Sequence, residues 1–160
     1  VLWLAPLPFL IRLGATTEAW DANSRAMATI LTAIDHIPEG ARVASAVEED
    51  RGEWPLNPFE HVASYATVRR DALVNTHFAI PGVHMLRVRD ASPAFADPSH
   101  RVFVQPRTQI DLSNFAPARE ADYLWFIGKR TQVQMPAGAE VIYRAPGTIL
   151  ARLAKPQGPR

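Results

Sequence analysis

A chain of 160 residues, 48% hydrophobic and 21% charged, has room for one domain with a substantial core and is too apolar to stay disordered. Its 17 Lys and Arg balance 16 Asp and Glu to a formal charge of +1, with the basic residues scattered in ones and twos, so no nucleic-acid partner is expected. Without cysteine, disulfides, thiolate catalysis and Cys-based zinc sites are excluded.

Val1 to Leu13 is apolar up to Arg12. It is too short to span a bilayer, which takes about 20 apolar residues. It also lacks the basic lead-in of a signal peptide and an initiating Met. Two readings stay open. The segment is the end of a membrane helix, with Trp3 near the interface, or an apolar edge segment that Pro6 and Pro8 keep extended.

Thr16-Thr17-Glu18 predicts a helix start, with a hydroxyl cap and an acid in the first turn. Trp20, Met27, Ile30, Leu31 and Ile34 then recur at helical spacing, and Pro38-Glu39-Gly40 ends the helix. Arg42 to Val47 predicts a short strand. Glu48-Glu49-Asp50-Arg51-Gly52 follows at the carboxyl end of that strand, where open α/β sheets bind ligands. Three consecutive carboxylates do the reverse of a phosphate-cradling glycine loop, so a conventional nucleotide site is excluded.

Asn57 to about Val68 predicts a short helix with Phe59, Val62, Ala63 and Ala66 on one side. Strands are expected at Met85 to Arg89 and Arg101 to Gln105, with a Pro-, Asp- and Ser-rich connection over Ala91 to His100. The apolar run Tyr123 to Ile127, closed by Gly128, predicts a central strand covered on both faces. Glu140 to Arg144 and Thr148 to Leu153 flank Ala145-Pro146-Gly147 as a C-terminal β-hairpin. Lys155 to Arg160 reads as a tail. The expectation is a single layered α/β domain over residues 14–154, with a mixed sheet flanked by helices.

The densest chemistry lies between His61 and Ala79. On a helix, His61, Tyr65 and Arg69 form one stripe, because positions four apart are neighbours. Arg69 and Arg70 would offer planar forks to an anion and Tyr65 a stacking face. The competing reading is a half-buried helix whose arginines pair with Asp71 or with the acidic loop. His61, Tyr65, Arg69, Arg70, Asn75 and His77 are the ligand-binding candidates, with Glu48, Glu49, Asp50 and Trp54 secondary. The Trp54 loop could serve as a ligand platform, whereas Trp3, Trp20 and Trp125 read as packing residues. His61, His77 and His84 have no tight zinc-motif spacing, so no metal and no cofactor are expected. None of the serines sits in a Gly-x-Ser-x-Gly elbow, and no catalytic residue is assigned.

Several segments carry a resemblance. They are Ile37-Pro38-Glu39-Gly40-Ala41-Arg42-Val43, then His-x-x-x-Tyr-Ala-x-x-Arg-Arg-x-Ala-x-Val from His61 with Phe78-Ala79 after it. Near the end come Asp122-Tyr123-Leu124-Trp125-Phe126-Ile127-Gly128, Val141-Ile142-Tyr143-Arg144 and Leu150-Ala151-Arg152-Leu153. In this order, over about residues 14 to 154, they resemble the soluble C-terminal extracytoplasmic domain of bacterial polytopic membrane proteins related to lipid-linked-sugar glycosyltransferases. The resemblance implies a cell-membrane protein with this domain on the extracytoplasmic side. Val1 to Leu13 would then be the exit of the last membrane helix, and the partners upstream membrane helices of the same protein and a glycan or lipid-linked sugar. In such enzymes the catalytic carboxylates lie between membrane helices, so none is carried over and the domain itself is expected to be accessory. The alternatives are a free-standing α/β hydrolase using His61 or His77 with a carboxylate from Glu48 to Asp50, and a protein-interaction module docking through its apolar N-terminus.

Overall fold

The computed structural model describes residues 6–48, 57–76, 85, 89, 92, 95 and 109–154. Five strands form a mixed sheet in the order β2-β1-β4-β7-β6, built from β1 (Arg42–Val47), β2 (Leu73–Val74), β4 (Tyr123–Ile127), β6 (Glu140–Ala145) and β7 (Thr148–Arg152). β1 is parallel to both β2 and β4, whereas β7 is antiparallel to β4 and to β6. The α/β class, the mixed sheet, the central apolar strand and the closing hairpin all match the sequence reading. Two further strands escaped it: β3 (Ile110–Asp111) and β5 (Val133–Gln134), a small parallel pair outside the main sheet.

Alternation along the strands builds two cores. On one face Val43, Val47, Trp125, Ile127 and Leu150 meet Ile30, Ala33, Ile34 and Ile37 from the first helical segment and Val62, Ala63 and Ala66 from the second. On the other, Ala44, Ala46, Leu124, Phe126 and Ile149 meet Ile110, Leu112, Val133 and the 3₁₀ helix Ala116–Glu120. The central strand is therefore covered on both sides, as a short continuous apolar run requires. Trp125 is fully buried, and its indole N–H donates to Thr148 Oγ1 at 2.7 Å, so a polar atom in the core keeps a partner.

The first helix differs most from expectation. α1 runs from Leu7 to Leu31 and tightens into a 3₁₀ turn at Thr32–His36. It starts at Pro6 and takes Pro8 in its first turn, where a missing N–H costs nothing. The prolines thus open a helix and do not hold an extended edge, and no helix begins at Thr16. The body of the domain grips α1 only from Met27 onward, through buried Ile30 and partly buried Met27 and Leu31. Residues 6–26 are exposed throughout, including Trp20 at 74%, which is not a packing residue. Among the described residues no helix is long and apolar enough to cross a membrane.

The expected helix over Asn57 to Val68 is shorter and broken. Asn57 Oδ1 accepts the Phe59 N–H at 2.9 Å, a side-chain turn that competes with helix initiation. A 3₁₀ turn at Val62–Ser64 and α2 (Tyr65–Arg70) follow, and Asp71 ends the helix in a left-handed conformation. Met85 and Arg89, the ends of an expected strand, lie in bends; its middle, the Arg101–Gln105 strand and the tail lie outside the described residues. Ser92 and Phe95 fasten the connection between them to the amino edge of the sheet. Ser92 Oγ bonds Glu120, Glu120 also pairs with Arg42 at 3.3 Å, and Arg42 lies 5.1 Å over the buried Phe95 ring.

Asn75 extends the sheet with its side chain. β2 ends at Val74, and beyond it Asn75 Oδ1 accepts the Ser45 N–H at 2.6 Å while Nδ2 donates to Ser45 C=O at 3.1 Å. Both groups would otherwise be buried without a partner. Asn75→Leu should therefore cost about 2–5 kcal/mol in urea unfolding, since each orphaned buried group costs about 1–3 kcal/mol. A loss below about 1 kcal/mol would contradict this role.

Candidate functional site

α2 packs on one face of the sheet and β5 on the other. The carboxyl ends of the parallel neighbours β1 and β4 are the usual ligand position in an open α/β sheet. The crevice there, between Glu48 after β1 and Gly128 after β4, is filled from within. Glu48 turns its carboxylate inward, 12% exposed, and accepts the backbone N–H of Arg130 at 3.1 Å and its Nε–H at 3.1 Å. A Cβ on Gly128 would stand 2.5 Å from both Glu48 Cβ and Glu48 Oε2, so only glycine leaves room for this side chain. Asn57 Nδ2 donates to the Glu48 carbonyl at 2.8 Å and ties the start of the next segment to the same point.

The Glu48–Arg130 contact is two charge-assisted hydrogen bonds on a largely covered carboxylate, which holds the loop after β4 against the end of β1. Glu48 is thus committed to Arg130, while His61 stands 4.0 Å from the Glu60 carboxylate. The sequence signal for this arrangement was partial. Glu48 stood out in its acidic run, but Arg130 and Gly128 are 80 or more residues away, and only the parallel register of β1 with β4 brings them to it.

The His61–Ala79 candidates are dispersed by the fold. His61 sits before the 3₁₀ turn, half exposed, and is not on a common helix with Tyr65. Tyr65 and Arg69 do meet: the Arg69 guanidinium lies 5.7 Å over the Tyr65 ring, and both face outward beside Val68, 85% exposed. Arg70 turns the other way. Its Nε donates to Ile34 C=O at 3.2 Å and its Nη2 pairs with Asp35 at 3.4 Å, fastening α2 to the end of α1. That is a structural pairing of the kind expected for a half-buried helix, with Asp35 as partner in place of Asp71 or the acidic loop. Asn75 has both amide atoms committed to Ser45. His77, Glu49, Asp50 and Trp54 lie outside the described residues. The exposed group is therefore His61, Tyr65 and Arg69.

A second depression lies at the opposite, amino edge of the sheet, about 410 Å³ and lined by Pro38 to Ala41, Asp122, Tyr123, Arg152 and Leu153. Two of its polar groups are engaged: Asp122 Oδ2 accepts the Arg42 N–H and Arg152 pairs with Glu140. Among the described residues no cluster of His, Asp and Glu is arranged to hold a metal ion. Comparison of the chain with protein-family models, curated proteins and solved structures finds no match.

Gly128→Ala tests the filled crevice. The added methyl has to displace Glu48 or the Phe126 ring, and overpacking of this kind costs about 1–3 kcal/mol. Unchanged urea stability would mean that Glu48 does not occupy the space.

Proposed function

We propose that the chain is an accessory, non-catalytic extracytoplasmic domain of a membrane protein that takes part in the transfer of glycans or lipid-linked sugars. The observation that carries the membrane part is the start of α1. Leu7, Phe9, Leu10, Ile11 and Leu13 are 50 to 66% exposed and cover more than half of the helix circumference, with Pro8 and Arg12 on the remaining side. Full burial of side chains of this kind is worth about 1.5–3 kcal/mol each, so leaving five of them in water is costly. A groove on a protein covers one stripe of a helix, whereas lipid covers every side. Arg12, the only charge in this turn, has a long stem that lets its guanidinium reach a polar headgroup.

The link to sugar transfer rests on the likeness of the segments around Ile37–Val43, His61–Val74 and Asp122–Gly128 to the extracytoplasmic glycosyltransferase domains. The exposed Tyr65–Arg69 pair with His61 nearby supplies a stacking face and donors suited to a sugar or its phosphate. The accessory role is supported by the commitments of the other polar candidates: Glu48 to Arg130, Arg70 to Asp35 and Asn75 to Ser45. Upstream membrane helices of the same protein are the proposed partner, and reading the gene upstream of Val1 for stretches of about 20 apolar residues tests that directly.

Sedimentation with neutral phosphatidylcholine vesicles tests the membrane contact. The chain should pellet with the vesicles, and the double variant Leu10→Asp, Ile11→Asp should stay in the supernatant with its fold intact by circular dichroism. Equal partitioning of the two proteins would contradict the reading.

A further inference from the structure

The direction of α1 fixes which side of the domain looks at the surface that holds its apolar tip. Ile30 packs where a Cβ on Gly147 would meet it at 3.4 Å, in the turn between β6 and β7. That turn adjoins the Ile127–Thr148 pair, at the carboxyl ends of β4 and β1. Farther along, Thr32 Oγ1 bonds the Tyr143 hydroxyl and His36 stacks on the Tyr143 ring at 4.5 Å, while Pro38 to Ala41 lie at the amino edge beside Asp122. The chain therefore crosses the sheet from its carboxyl edge to its amino edge between residues 30 and 41. The preceding part, exposed from residue 6 to 26, projects beyond the carboxyl edge.

Resting on the membrane reading, we infer that α1 is a stalk that holds the carboxyl edge of β2, β1 and β4 facing a phospholipid surface. Two parts of the helix differ in character. Leu7 to Leu13 is apolar on nearly all sides and rises about 10 Å, the depth of the headgroup and upper acyl region. Gly14 to Ala26 carries Glu18, Asp21 and Arg25 on one side, with Arg25 paired to Asp21 at 2.7 Å, and rises about 20 Å in water. The edge that bears Glu48, Asn57, His61 and Lys129 then overhangs the lipid across a gap of that order. Glu39 and Ala154, at the amino edge, point away. A ligand that reaches the overhanging edge is one presented by the membrane on an extended polar headgroup, since a bare lipid phosphate lies too low. Tilting the stalk narrows the gap and leaves the order of the two edges unchanged.

The chain has no cysteine, so single labels can be placed without background. Four variants, Lys129→Cys, Pro146→Cys, Glu39→Cys and Ala154→Cys, carry the same fluorescent donor, and neutral phosphatidylcholine vesicles carry a headgroup acceptor. The edges stand about 20 Å apart at ~3.3 Å per strand residue, so transfer from positions 129 and 146 should exceed that from 39 and 154 by about twofold. Vesicle binding with equal transfer from all four, or more from 39 and 154, overturns the orientation and leaves the membrane reading standing. Absence of vesicle binding by every labelled protein overturns the membrane reading and this inference with it.

Discussion

Five residue pairs, from Val43–Tyr123 to Val47–Ile127, hold β1 and β4 side by side in parallel, and the positions of the remaining elements follow from that pairing. Residues 42 to 47 and 123 to 127 are almost entirely buried, so a slip of one residue would turn Trp125 and Phe126 to the wrong faces. The register also brings Glu48 to Gly128 and Arg130. The Glu48 carboxylate fills the crevice between the two strand ends, and the missing side chain of Gly128 makes the space.

The same sheet decides where α1 can go. Its last turns cover one face through Ile30, Ile34 and Ile37, and Arg70 and Tyr143 clamp it from two sides. A rigid helix gripped at its C-terminal end over a sheet about six residues long has to leave that sheet. The part that leaves begins with a run of exposed apolar residues, Leu7 to Leu13, broken only by Arg12. Local helix propensity does not explain why so many apolar groups face water. Transfer of those groups to lipid, the reading proposed above, would.

Much of the architecture was legible because burial and periodicity coincide. Tyr123 to Ile127 read as a central strand and is one; the hairpin around Ala145-Pro146-Gly147 is also as expected. Where the reading failed, a local signal was ambiguous. Pro6 and Pro8 fit an extended segment as well as a first helical turn, and the turn won. The helix expected from Asn57 starts only at Tyr65, because Asn57 Oδ1 holds the Phe59 N–H in a turn and a 3₁₀ turn follows, which separates His61 from Tyr65. β3 and β5 are two residues each, too short for a period to register. The candidate cluster was legible as composition only. Its polar groups point in different directions because α2 is a single short helix with one side on the core, and Asn75 acts as a strand extension that no local pattern announces.

Hydrogen exchange along the whole chain, with and without neutral phosphatidylcholine vesicles, tests the central claim most directly. Without vesicles, residues 7–26 should exchange fast while β1 and β4 stay protected, because only the latter are enclosed by the cores. With vesicles, new protection should appear at residues 7–13 and nowhere on α2. Protection that is unchanged by vesicles, or that arises at Tyr65 to Arg70, would contradict a lipid-seated stalk.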